Sequence, residues 1–163
     1  MIKTELAKPF VDAANDMFGL EIGLEVTKGQ ITESTGQGTS QEVNILIGVT
    51  GDVTGTVIYG MSVSTAKAIA EAMLMHEIPS LDRNAQSALC ELGNMISGMA
   101  MSKFDESVSN LALTPPSFVV GKDIFISVLK LGCGKAQLNT SAGNVDVTVA
   151  LEQRMIRPQA EVA

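Results

Sequence analysis

"VNILIGVTGDVTGTVIYGM", residues 43–61, decides how the rest of the chain is read. Val43, Ile45, Ile47 and Val49 alternate with other residues, and after the turn "TGD" Val53, Val57, Tyr59 and Met61 do the same. A period of two on both sides of a short turn predicts a β-hairpin. Upstream, Leu6, Phe10, Ala13, Ala14 and Met17 recur at three and four residues, which predicts an amphipathic helix over 5–18 ending near Gly19. In "LEIGLEV", 20–26, apolar residues alternate again and predict a strand, followed by the polar loop "TESTGQGTSQ". Downstream, Ser64 can cap a helix running to about Met75, and Pro79, Ser80 and Asp82 precede a longer one from about Arg83 to Phe104. "NLALTPPSFVVGKD" reads as a proline-containing connection. Ile124–Leu131 and Val145–Leu151 read as strands, with a turn at "SAGN". Strands, then helices, then strands imply an α+β fold: a single domain over 1–157 with a mostly antiparallel sheet and helices packed on one face. The end of the tail "RPQAEVA", residues 158–163, is expected to fray.

Composition narrows the function. At 163 residues and 45% hydrophobic the chain can bury a real core, which excludes a disordered protein. Its formal charge of -7 argues against nucleic acid, a polyanion that the average surface field would repel. The N-terminal "MIKTELAKPFVDAAND" has acids scattered through it, and no stretch reaches the length of a membrane span, so a soluble, cytoplasmic protein is expected, with no membrane partner. Cys90 and Cys133 stand far apart without a CxxC pair, and His76 is the sole histidine. Disulfide frameworks, zinc sites and most histidine-dependent catalysis are thereby disfavoured, and no metal site of its own is expected.

The long helix carries two stripes. Ala85, Leu89, Leu92, Ile96 and Met99 gather on one side, which should face the sheet. Ser87, Glu91, Asn94, Gly98 and Met101 form a second stripe nearly opposite. An ordinary solvated face is the plainer reading of such a stripe. Yet such a face is normally rich in Lys, Glu and Gln, whereas this one holds two residues of poor helix propensity beside Met95 and Met101. Close approach by another backbone would account for Gly98 and, less directly, Gly93, with Cys90, Met95 and Met101 as adaptable apolar contacts. For Cys90 and Met95, core packing is the simpler assignment.

Ser87-x-x-x-Glu91-x-x-Asn94 resembles the signature of the CheC/CheX/FliY family of chemotaxis phosphatases. "KPFVDAANDMFG", "LEIGLEVTKG", "ELGNMISGMA" and "LALTPPSFVVG" resemble its CheX branch and cover most of the chain in order. The family pattern sets 22 residues between the asparagine and its proline; here 20 residues stand between Asn94 and Pro115 and 21 between Asn94 and Pro116. CheC-type members carry a second motif on the first helix. Here that helix offers Asp12-x-x-Asn15 with Lys8 where a serine or aspartate would stand, so one site per chain is expected.

The resemblance implies that the substrate is a CheY-like receiver domain phosphorylated on aspartate. Mg²⁺ would be held by that receiver and no cofactor by this chain, and a homodimer would form through the sheets. The residues fit a helper rather than a self-contained hydrolase, because the sequence offers no nucleophile paired with a base, no metal cluster and no phosphate-binding glycine loop. A receiver supplies metal and lysine; a positioned water is missing. A carboxamide can donate and accept hydrogen bonds, so Asn94 is the candidate to orient that water, as glutamine does in small GTPases. Glu91 is the candidate to dock on the receiver's lysine. Ser87, Gly98 and Met101 are candidate partner contacts, Ser87 also as a hydrogen-bond partner of Glu91. The alternative is a receiver-binding or signalling-complex module of the same fold without catalysis.

Overall fold

The computed structural model describes residues 1–35, 39–128 and 132–154. Helix α1 (Lys3–Asp16) runs into a π-helical turn (Met17–Glu21), and the short strands β1 (Val26–Lys28) and β2 (Thr32–Thr35) follow. The hairpin is β3 (Val43–Gly51) and β4 (Val53–Met61); α2 (Val63–Leu74) and α3 (Arg83–Met101) come next. Strands β5 (Leu111–Leu113), β6 (Ser117–Val120), β7 (Gly132–Thr140) and β8 (Gly143–Gln153) complete the order. All eight strands form one antiparallel sheet in the order β1-β7-β8-β4-β3-β5, with β2 also on β7 and β6 also on β3. The α+β architecture is the one expected.

The hairpin fixes which face is covered. Ile47 pairs with Val57, Val57 with Val149 and Val149 with Gly134, so these four share one side of the sheet. α3 settles over the β3 and β4 end of that side, where Gly93 meets Ile45, Ile47 and Tyr59. α1 settles over β7: a Cβ on Gly134 would stand 2.6 Å from the Ala7 Cβ and 2.8 Å from the Lys3 carbonyl oxygen. A glycine in a strand here marks a helix backbone lying directly on it. On the other side of the sheet Thr39 and Gln41 cover Gly60 and the buried Asn44, whose Nδ2 donates to the Gln41 carbonyl at 2.7 Å.

Several expected elements sit elsewhere. Residues 20–26 are not a strand: the chain stays helical to Glu21 and turns at Gly23 with φ +79. Ile22, Leu24 and Val26 pack against the core in the predicted alternation, but backbone partners on β7 begin only at Val26. Ser62, not Ser64, caps α2, its Oγ accepting from the Thr65 N–H at 3.1 Å. The polar loop contains β2, and the proline segment contains β5 and β6 on the edge of β3. Prolines 115 and 116 lack the N–H that a continuous ladder needs and stand between those two strands. The strand expected at 124–131 reduces, over 124–128, to a single bridge between Ile126 and Thr39; 129–131 and the tail 158–163 lie outside the described residues. The hairpin partner of β8, which also pairs with β4, is β7, a glycine-bearing, half-polar run that does not announce itself as a strand.

Candidate functional site

Helix α3 is built to be held from below. Asp82 caps it, Oδ1 accepting from the Ala85 N–H at 2.9 Å, where the aspartate also complements the positive helix end. Ala85, Leu89, Leu92, Gly93, Ile96, Ser97 and Ala100 are buried, and Met99 is partly so. Two contacts fix the rotation of the helix. Gly93 brings its backbone close to β3, because a Cβ there would lie 2.8 Å from Ile45 Cγ2. One turn on, the Tyr59 hydroxyl and Ser97 Oγ share a buried hydrogen bond of 2.8 Å, and burial pushes the phenol well above its ordinary range, so it remains neutral.

With the inner side fixed, the stripe points out. Ser87, Glu91 and Gly98 are exposed, while Asn94 and Met101 are half-buried. Glu91 forms no ion pair, and the side chains of Ser87, Glu91 and Asn94 form no hydrogen bond within the described chain. Ser87 therefore does not tether Glu91. Helical spacing puts Glu91 and Asn94 on adjacent turns, roughly 5–6 Å apart at Cβ. The fold leaves a free carboxylate and a free amide side by side. A Cβ on Gly98 would meet nothing within 4 Å, so that glycine is an open gap in the outer surface. Gly93 is the reverse: it serves the sheet, not a visiting backbone. Met95 is 39% exposed, not core. Cys90 is half-buried, and burial pushes its thiol up, which disfavours a thiolate nucleophile at neutral pH.

The corresponding stripe on α1 is closed. Asp12 accepts from Lys8 through Oδ2 and from Lys28 through Oδ1, the latter at 2.6 Å. Desolvation, the largest single influence, raises the Asp12 carboxyl, but the hydrogen bonds from Lys28 and Lys8 with their charges outweigh it and hold the group below the usual carboxylate range. Lys28 is the member of this clamp that sequence reasoning missed, since β1 brings it from a separate element. Among the described residues no group of three His, Cys, Asp or Glu could hold a metal ion, and no helix is long and apolar enough to cross a membrane. A cavity of about 370 Å³ on the opposite face of the sheet, lined by Thr39, Lys135, Gln137 and Asp146 among others, includes none of the α3 stripe.

A single antiparallel sheet with α1 and α3 on one face is the CheC/CheX-like fold class. The crystal structure of a chemotaxis protein CheX from Desulfovibrio desulfuricans superposes with a TM-score of 0.82 at 28% identity, covering 91% of this chain and 99% of that one. The sequence profile of the family described as chemotaxis phosphatase CheX matches residues 43–151, and the chain belongs to that family. The CheY-P phosphatase CheX of Thermotoga maritima is 38% identical over 91 residues, which span 53% of this chain and 59% of that protein. A CheX-CheY-BeF3-Mg²⁺ complex from Borrelia burgdorferi shares the fold, with a TM-score of 0.78 at 22% identity over 92% of this chain and 99% of that one.

Proposed function

We propose that the protein hydrolyses the aspartyl phosphate of a CheY-like receiver domain, with Asn94 orienting the attacking water and Glu91 docking on the receiver's lysine. The observation that carries this reading is the pair of unpartnered polar side chains on a helix whose inner side is otherwise fully engaged. Membership of the CheX family supports it, as do the activity named for the Thermotoga relative and the CheY partner and Mg²⁺ named for the Borrelia complex. Mg²⁺ would belong to the receiver and neutralise charge on the phosphoryl oxygens. The Asn94 carboxamide would hold one water in line with the scissile bond: its oxygen accepts from the water and its Nδ2–H₂ contacts the phosphoryl group. The water oxygen bonds to phosphorus, the bond from phosphorus to the aspartyl oxygen breaks with its electrons leaving on the carboxylate, and the water's proton departs on inorganic phosphate. Glu91 aligns the two proteins through a partly desolvated ion pair. Ser87, Gly98 and Met101 frame the contact, and Gly98 leaves room for a receiver loop.

The test is the lifetime of a phosphorylated receiver with substoichiometric protein. Multiple turnovers support catalysis; protection or unchanged lifetimes across a panel of receivers would replace this reading with the non-catalytic binding module. The same reading places the protein in the cytoplasm with its substrate, as a homodimer formed through a sheet edge. A strictly monomeric mass by light scattering at micromolar concentration would remove the dimer.

A further inference from the structure

Beside the α3 stripe, a cavity of about 250 Å³ opens between the π-helical turn, the end of α2 and α3, lined by Met17, Ile22, Ala72, Met73, Met75 and Met95 among others. Four of these six are methionines, whose flexible thioethers adapt to an inserted apolar group. Glu21 also borders the cavity and is exposed, and Glu91 lies one turn before Met95 on α3. Neither carboxylate has an ion-pair partner among the described residues. The cavity is therefore apolar within, with one carboxylate, Glu21, at its border and a second, Glu91, one helical turn from Met95.

The fold does not ask for two of these methionines, Met75 and Met95, whereas Met17 and Met73 pack in or against the core. Met75 is 90% exposed and closes α2 in the left-handed conformation, φ 62 and ψ 28. Glycine or asparagine suits a helix end of that shape better than a long side chain. Met95 is 39% exposed although its neighbour Ile96 is buried. Met95 also adjoins Asn94 in the chain, and one helical turn is only about 5.4 Å, so a domain seated on Glu91 and Asn94 extends over the cavity. A second copy of a chain with net charge -7 is a poor match for a mouth that carries Glu21 at its border and Glu91 one helical turn away.

We infer that this cavity receives an apolar side chain of the same receiver domain, flanked there by a basic residue that faces Glu21. The inference rests on the phosphatase reading above and adds to it the chemistry that selects the partner. It is tested with Met75→Asn, which suits the left-handed backbone, and with Met75→Asn/Met95→Gln. The probe is the CheY-type receiver that wild type turns over fastest, phosphorylated by acetyl phosphate with Mg²⁺. The double variant should raise KM about tenfold, the loss typical of removing a buried apolar anchor, and leave kcat within about two-fold. Met75→Asn alone should raise KM by a smaller factor while its unfolding temperature holds or rises. A wild-type KM in the double variant overturns the docking cavity and leaves the phosphatase reading standing; so does a loss confined to kcat, which would assign the methionines to seating α3. If KM is unchanged and the double variant instead loses self-association in light scattering, the cavity belongs to a second copy and the inference fails. If wild type shortens the lifetime of no phosphorylated receiver, both readings fall together.

Discussion

α1 and α3 pack on the same face of one sheet, and each carries an acid and an asparagine three residues apart: Asp12 and Asn15, Glu91 and Asn94. Their surroundings separate them. Asp12 is gripped by Lys8 and Lys28, so its charge is already spent inside the molecule. Glu91 has no such partner among the described residues. A carboxylate already neutralised by two cations gains little from a third, whereas an unpaired one gains a full partner when it meets a lysine. Spacing is the same on the two helices; what differs, among the described residues, is that the acid on α3 has no internal ion-pair partner.

The comparison is broken most directly by Asn94→Ala set against Asn15→Ala. Losing one positioned polar contact at the reacting water should lower kcat on the order of 10²-fold or more, about 3 kcal/mol, while KM changes less. Thermal unfolding should move the other way, up by a few tenths of a kcal/mol, because alanine is the better helix former. Asn15→Ala should leave turnover at the wild-type level. If the two variants hydrolyse a phosphoreceiver equally fast, the contrast between the helices has no catalytic meaning.

Glu91→Ala should act mainly on engagement, raising KM by roughly 30-fold, about 2 kcal/mol, with circular dichroism unchanged because this side chain does not enter the core. Asp12→Ala should leave KM alone. Equal affinity of wild type and Glu91→Ala for a receiver carrying a stable phosphate mimic would remove Glu91 from the docking surface.

The glycines sharpen the same contrast within one helix. Gly93→Ala forces a Cβ to within 2.8 Å of a stiff β-branched side chain, Ile45; overpacking of about 1–3 kcal/mol should exceed the propensity gain of about 1 kcal/mol and lower the unfolding midpoint. Gly98→Ala meets open space and should stabilise the free protein by about 1 kcal/mol. If a receiver loop approaches there, that variant turns over more slowly while unfolding later. Denaturant unfolding and initial rates on both variants give the answer.

The smallest effect belongs to the α1 clamp. Each partly exposed pair should contribute about 0.2–1 kcal/mol, and less at high salt. Because the Asp12 carboxyl is depressed in the folded state, its contribution is fully present above the ordinary carboxylate value of 3.8 and is lost as pH falls below that through the lowered folded value. Lys8→Ala/Lys28→Ala should therefore flatten the stability profile in that acid window and leave it parallel to wild type near neutrality. An unchanged acid limb would show that the clamp holds nothing.

Much of this was legible in the linear pattern because the responsible forces are local or periodic. The 43–61 hairpin appears as a period of two, and α3 appears with its cap at Asp82 and its buried row of Ala85, Leu89, Leu92 and Ile96. The outward placement of Glu91 and Asn94 followed from the same arithmetic. No strand was expected over β7, because Gly134 interrupts the side-chain pattern there until Ala7 and Lys3 are seen lying against it. The segment 20–26 was misread because alternation reports which side chains turn inward, not whether a neighbouring strand offers its backbone.

The sequence by itself determined the fold class, the two-sided character of α3 and the residues on its outer stripe, since side-chain period and helix capping depend on near neighbours in the chain. Only the tertiary structure decided which carboxylate is free, that Gly93 serves the sheet and Gly98 does not, and that Met75 and Met95 share one cavity. Each of these depends on residues that are distant in sequence and adjacent in space: Lys28 beside Asp12, Ile45 beneath Gly93, the π-helical turn beside the end of α2. Periodicity carries no information about such encounters, because they arise only when separate elements pack.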